Sequence, residues 1–230
     1  MLARLEAAVR TLSQFVADAS HEFRTPLAVI RTSAELALRR GRSPEEYRQS
    51  LQEIMAEAER MTALVEDLLI LARGDAGVAD MPLSPLDLRE VLTDVIGEMS
   101  GLSQGRHIQI KPSLGDRAAI ISGNRAALHR LFLVLLDNAL KYSSEGSDVM
   151  VNLSNNSVTI KDFGAGIAES DLPHIFKRFY QADRARNGGG YGLGLSLAES
   201  IVKAHGGSIQ VSSTPGAGSS FLIDLKCVQI

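Results

Sequence analysis

With a single cysteine, Cys227, the chain cannot form an internal disulfide, and no neighbouring ligand set gives that thiol more than a structural role. Long apolar runs are also missing. The most hydrophobic stretch, "LFLVLL" at 131–136, is core-sized, far short of the roughly 18 residues that cross a bilayer. The amphipathic start, "MLARLEAAVR", contains no cleavable apolar block. A net charge of −3 gives no overall basic balance that would point to nucleic acid, although it does not bear on local patches. What these absences leave is a cytoplasmic, globular class, and 230 residues suffice for one large or two modest domains with real cores.

Two common site signatures are absent as well. No second His or Cys lies one helical turn from His21, which argues against zinc there. No G-K-[ST] occurs, so a Walker loop is excluded, and a dinucleotide fingerprint begun at Gly190 and Gly192 fails because its third glycine falls on Leu195.

The first third of the chain is instead rich in heptads. Leu2, Leu5, Val9, Leu12, Val16, Ala19, Phe23, Pro26 and Ile30 recur in alternating steps of three and four. After "GRSP" a second seam follows at Tyr47, Leu51, Ile54, Ala58, Met61, Val65, Leu68 and Ala72, and Gly74 offers a stop. Between the seams, Ser43-Pro44-Glu45-Glu46 has the form of a capping box with proline at the first helical position. The pattern predicts a helical hairpin. Its long apolar stripe needs cover, and self-association into a four-helix bundle is the simplest remedy. With Leu2 at heptad position a, His21 falls at f, away from the core, with Glu22 beside it and Pro26 set to bend the helix just beyond. An exposed imidazole is substantially neutral, and so nucleophilic, near neutral pH.

Residues 73–88 read as a linker, and beyond them the pattern is mixed α/β. Helices are expected over 87–103, 124–142, 169–179 and 192–207, and strands over 107–112 and 118–122. A hairpin turning at Asn155-Asn156 and another at Pro215-Gly216 complete the reading. Three features of this half concern phosphate. Asn138 is a neutral polar residue in an apolar helix, either satisfied within the core or ligating a Mg²⁺–phosphate group. Lys141 can reach anionic oxygens, and Tyr142 can offer an aromatic face to a base. The glycine runs "DFGAGI" and "GGGYGLGL" flank a stretch, "IFKRFYQADRARNGGG", composed like a mobile lid, and the second run precedes a helix whose N-terminal N–H groups suit phosphate.

In this order the pieces resemble the sensor histidine kinases of two-component signalling. "SHEFRTPL" is similar to the H box, "LLDNALKYS" to the N box, "DFGAGI" to the first glycine box, "IFKRFYQAD" to the F box and "GGYGLGL" to the second glycine box. The resemblance spans essentially the whole chain. It implies an α+β architecture, a dimeric helical-hairpin domain (1–73), a linker (74–86) and an ATP-binding α/β sandwich of the Bergerat (GHKL) type (87–230). It implies that His21 takes a phosphoryl group from ATP, that Glu22 activates it, and that Thr25 serves dephosphorylation of a response regulator. It further implies Asn138 as a Mg²⁺ ligand, Lys141 on phosphate, Tyr142 near the base and Asp162 accepting from the adenine amino group. Gly164, Gly166, Ile167, Arg178, Gly190, Gly192, Leu193 and Gly194 complete the implied nucleotide site. The implied partners are a second copy of the chain and the receiver domain of a response regulator, with no nucleic acid. An upstream, membrane-borne input region is expected, tethering the full-length protein to the inner membrane.

Three positions depart from the family pattern, one of them Ala165 in the first glycine box, where proline is common. Val134 stands where many members carry a further asparagine, and Gln181 where many carry arginine, each removing a phosphate-side contact. A catalytically degenerate nucleotide-binding dimeric scaffold is therefore the alternative. The same-fold chaperone, topoisomerase and mismatch-repair ATPases lack the hairpin with its f-position histidine.

Overall fold

A computed structural model of the chain describes residues 2–39, 41, 43–75, 82–181 and 192–226, without the side chains of 2–15, 18 and 73–75. Two compact units emerge, Met1–Leu69 and Ile70–Ile230.

Two long helices dominate the first unit, α1 (Leu2–Leu38) and α2 (Pro44–Asp75). Ser43 caps α2 as its sequence requires: the Glu46 N–H donates to Ser43 Oγ at 3.2 Å, and the Ser43 N–H donates to the Glu46 carboxylate at 2.8 Å. Helix α1 continues through Pro26, which is buried. Midway along the pair, Ser33 Oγ donates to Glu53 Oε2 at 3.1 Å and ties the two helices together. The second seam divides by heptad position: Ile54, Met61 and Leu68 turn partly inward, whereas Leu51, Ala58 and Val65 stay exposed. Leu51 is 60% exposed, Met55 61% and Leu69 51%. One apolar stripe of α2 is thus uncovered within a single chain.

In the second unit the element order is β1 (Ser84–Asp87), α3 (Leu88–Gly105), β2 (Gln109–Ser113), β3 (Ile120–Gly123), α4 (Arg125–Tyr142), β4 (Asp148–Ser154), β5 (Ser157–Lys161), α5 (Gly194–Ala204), β6 (Ser208–Thr214) and β7 (Gly218–Asp224). Five strands form a sheet in the order β2-β4-β5-β7-β6, with β2 parallel to β4 and the other pairs antiparallel. Alternate residues Val149, Val151, Leu153, Val158, Ile160, Phe221 and Ile223 are buried, as a half-covered sheet requires. Helices α3, α4 and α5 cover that face with Val91, Val95, Leu131, Phe132, Leu135, Leu197 and Ile201. Local chemistry fixes the element ends. Asp87 caps α3 and also accepts from the Ala119 N–H at 2.9 Å, while Asn124 caps α4 by accepting from Ala127. Asn155 supplies the positive φ of the β4–β5 turn.

Two readings of the sequence are corrected. Ser84–Asp87, at the end of the expected linker, is a strand pairing antiparallel with β3. Its Pro85 and short length conceal any strand periodicity. Residues 169–179 form successive three-residue turns, not a helix, with N–H donations from Asp171 to Ala168, His174 to Asp171 and Lys177 to His174. Pro173 has no N–H to sustain a helical ladder.

His205, at the end of α5, is buried and uses both ring nitrogens, Nδ1 donating to Ile201 O at 2.7 Å and Nε2 accepting from the Asn124 N–H at 3.0 Å. That pairing needs the neutral ring, and desolvation holds its pKa below the ordinary 6.5, partly offset by the Ile201 bond. Because the unfolded chain then binds the proton more readily, this contribution to stability is complete above the unfolded value. It is lost as the pH falls below that value toward the folded one. Urea melts at pH 7.5 and 5.5 should therefore show a smaller acid-side loss in His205→Gln than in the wild type; equal losses would contradict this.

Candidate functional site

On α1, His21 and Thr25 are both exposed and stand one turn apart on the same face, while Glu22 is half-buried. Exposure of His21 follows from the packing, since Ala19, Phe23 and Pro26 turn inward around it. A hollow of about 480 Å³ begins at Arg24 and Thr25 and runs along Ala28, Val29, Thr32 and Ser33.

The second unit gathers most of the other candidates where the C-terminal half of α4 meets the loop after β5 and the start of α5. Asp162, just after β5, is buried at 4% exposure. Its Oδ1 accepts from the Gly164 N–H at 2.9 Å and the Ser219 N–H at 3.2 Å. Burial pushes its carboxyl above the usual value, and the hydrogen bonds from Gly164 and Ser219 oppose that rise. Such a group is a partly compensated carboxylate that gains from one further donor. Tyr142, at the end of α4, is 46% exposed, and Lys141 Nζ lies 5.3 Å from its ring centroid.

Helix α5 starts against α4. A Cβ on Gly194 would stand 2.9 Å from Val134 Cγ1 and 3.9 Å from Asn138 Nδ2. Val134 and Asn138 are four residues apart on one face of α4, so the valine packs its methyl group against the first residue of α5 beside the Asn138 amide. Leu193, the N-cap of α5, is buried and provides no side-chain cap, so among the described residues no side chain competes with an anion for the first-turn N–H groups. No hydrogen bond joins the half-buried Asn138 amide to another of the described residues. An uncapped helix N-terminus beside an unbonded amide fits a phosphate group with an associated divalent cation.

The glycines do something that spacing alone did not reveal. A Cβ on Gly164 would lie 1.9 Å from the Tyr142 carbonyl oxygen, and one on Gly166, at φ +68°, would lie 2.1 Å from the Thr214 carbonyl oxygen. These positions are filled by the protein's own backbone, and glycine is required there to let the chain close on itself. Ile167 is half-buried, its N–H donating to Ser213 Oγ at 2.8 Å. Arg178 is half-buried in the turns before residue 180. Gly190, with Arg184, Arg186 and most of the stretch expected to form a lid, lies outside the described residues.

Sequence reasoning missed the contribution of the last hairpin. Ser219 donates to Asp162, Ser213 links Ile167, Gly218 and Ser219, and a Cβ on Gly218 would lie 2.2 Å from the Asp162 carbonyl oxygen. The signal was the "GAGSS" run at 216–220, but its nearness to Asp162 depends on the β5–β7 pairing.

Comparison with known proteins agrees with this geometry. Residues 123–229 match the model of the histidine kinase-, DNA gyrase B- and HSP90-like ATPases, and residues 11–77 match the His Kinase A phospho-acceptor domain. The probable sensor histidine kinase TcrY of Mycobacterium tuberculosis is 38% identical over 221 residues, covering 94% of this chain and 46% of its own length. Sensor histidine kinase YkoH of Bacillus subtilis is 36% identical over 212 residues, covering 90% and 46%. The chain thus spans about half the length of the curated relatives it matches. Among solved structures, Acinetobacter baumannii histidine kinase AdeS superposes with a TM-score of 0.68 at 23% identity, covering 91% of this chain and 98% of that one, a likeness of fold. The mycobacterial sensor histidine kinase MprB gives 0.54 at 27% identity over 62% and 96%. A phospho-acceptor helical hairpin followed by an ATPase-type α/β domain is the catalytic core of a two-component sensor histidine kinase, and this chain belongs to that family.

Proposed function

We propose that the chain phosphorylates its own His21 from ATP and passes the phosphoryl group to an aspartate on the receiver domain of a response regulator. The observation that carries this reading is an exposed helical histidine in the same chain as an ATPase-type domain whose α5 N-terminus is uncapped beside Asn138. The division of labour is a hairpin over 1–73, a linker that ends where β1 begins at Ser84, and an ATP-binding domain from β1 onward.

In the proposed step a His21 ring nitrogen attacks the γ-phosphorus, the bond to the ADP oxygen breaks, and Glu22 takes the imidazole proton. Asp162 accepts from the adenine amino group, Tyr142 lies against the base, and Lys141 and Arg178 face the phosphates. Gly164, Gly166 and Ile167 hold the base side of the pocket, and Gly190, Gly192, Leu193 and Gly194 the phosphate side. Mg²⁺, when bound, would be held by Asn138 with the ATP oxygens and would neutralise phosphate charge. Thr25, one turn from His21, serves the opposing activity, hydrolysis of the regulator's aspartyl phosphate by water to release inorganic phosphate. A second copy of the chain covers the stripe of Leu51, Met55, Val65 and Leu69, completing a four-helix bundle. No helix among the described residues is long and apolar enough to cross a membrane, and we place the membrane tether in an upstream input region, with this chain on the cytoplasmic side.

Incubated with Mg²⁺ and ATP labelled at the γ-phosphate, the wild-type chain should acquire acid-labile label, and His21→Gln should acquire none while still binding ATP. Label persisting in that variant overturns the assignment. ATP binding with no label in the wild type favours a nucleotide-sensing dimeric scaffold instead.

A further inference from the structure

Phe179 is one of three non-glycine residues with positive φ among the described residues, at +59°. An aromatic residue in the left-handed region persists only where its neighbours hold it. The contact on one side is Gly192, whose Cβ, if present, would lie 2.7 Å from the Phe179 carbonyl carbon and 2.9 Å from the Tyr180 oxygen. The backbone before α5 therefore rests directly on the Phe179–Tyr180 peptide. Beyond Gly192 the path is short: Leu193 is buried, its carbonyl accepts from the Leu197 N–H and the Ser196 hydroxyl, and Gly194 meets Val134 and Asn138.

Tyr180 is fixed in turn from three directions. Its N–H donates to Lys177 O at 3.2 Å, its ring lies 5.7 Å from the His174 ring, and its hydroxyl donates to Asp171 Oδ1 at 2.8 Å. Asp171 is itself set by its own turn, donating its N–H to Ala168 O and accepting the His174 N–H. The bond to Asp171 also pushes the Tyr180 phenol above its ordinary pKa of 10.0, so the hydroxyl keeps its proton as a donor.

We propose that the Tyr180–Asp171 hydrogen bond is a positioning device that, through the Phe179–Gly192 contact, sets the N-terminus of α5 against Asn138 and so tunes the phosphate end of the nucleotide site. The inference rests on the nucleotide site proposed above and adds to it a pair that touches no nucleotide. Asp162 and Tyr142, the residues assigned to the base, share no hydrogen bond or ring contact with the pair among the described residues, so the pair governs phosphate and leaves base recognition alone.

The test compares two probes on the full chain, AMP-PNP with Mg²⁺ and adenosine, by calorimetry and NMR titration. Tyr180→Phe keeps the ring and loses only the hydroxyl, and should weaken Mg²⁺–AMP-PNP binding about 10-fold, the scale of a hydrogen bond to a charged group. Adenosine affinity should stay within about twofold, since the base contacts are not coupled to the pair. Asp171→Ala should reproduce the loss, Asp171→Asn should restore binding because its Oδ1 still accepts, and the double variant Tyr180→Phe/Asp171→Ala should lose no more than either single one. Unchanged AMP-PNP affinity in Tyr180→Phe overturns the inference, and so does an equal loss for both probes, which would make the pair a general stabiliser of the unit. A wild-type chain that binds neither probe overturns the nucleotide site itself.

Discussion

Asp162→Asn is expected to bind ATP about 100-fold more weakly than the wild type, or worse, while remaining folded and melting no lower. The binding loss follows from the proposed role. A carboxylate accepting the adenine amino group becomes an amide whose remaining free group is a donor, so two donors face each other in a buried site. The retained stability follows from the free protein. Burial raises the Asp162 carboxyl above its ordinary 3.8, so its share of stability is complete below the unfolded value and is lost as the pH rises through the folded one. At neutral pH the ionised group is thus a cost to the fold that the ligand relieves, and asparagine removes that cost while Oδ1 still accepts from Gly164 and Ser219. Calorimetry with ATP and a thermal melt of the apo chain check both halves. Tight binding in the variant would remove Asp162 from base recognition, and a large fall in melting temperature would show that the carboxylate is structural instead.

Gly164→Ala should damage the same region in the opposite manner, through the fold. The added methyl would overlap the Tyr142 carbonyl oxygen at 1.9 Å and approach the Ser143 Cα at 3.0 Å, and all of these are backbone positions at the end of α4. Backbone cannot rotate away as a side chain can. Either α4 or the loop after β5 must shift, which also strains the Ala165 N–H bond to Tyr142 O. A loss of about 3 kcal/mol or more, roughly 10 °C in melting temperature, is expected for a unit of this size. Gly97→Ala is the matched control: its Cβ would meet nothing within 4 Å in the middle of α3, so alanine there should stabilise by up to about 1 kcal/mol. Equal melting of Gly164→Ala and wild type would contradict the close approach.

Much of this architecture was legible because the informative residues act locally. Heptad spacing located both long helices, the Ser43–Glu46 box located the start of α2, and Asn155-Asn156 located a turn, each through physics confined to a few neighbouring residues. Periodicity did not show that the α2 seam divides, with Met61 turned inward and Leu51 outward, since a bundle helix carries a broad apolar face that reads as one stripe. Local physics also misled over 169–179, where apolar spacing suggested a helix but Pro173 and the turn bonds prevailed. Long-range features stayed hidden. The contact of Ser219 with Asp162, the backbone contacts that demand Gly164 and Gly166, and the pairing of Ser84–Asp87 with β3 all depend on strand register. Among the nucleotide-side candidates, Asn138, Tyr142, Asp162, Gly164 and Gly194 were placed by motif. What each touches had to come from the fold.

The central claim is that His21 is the phosphoryl acceptor. It is tested most directly by incubating the wild-type chain with Mg²⁺ and ATP, keeping the product alkaline, and locating the phosphoryl group by ³¹P NMR and peptide mass spectrometry. A phosphoimidazole resonance that disappears on acidification, mapped to the peptide containing His21, is the predicted result. A phosphoryl group on serine, threonine or another histidine, or none despite bound ATP, would contradict it.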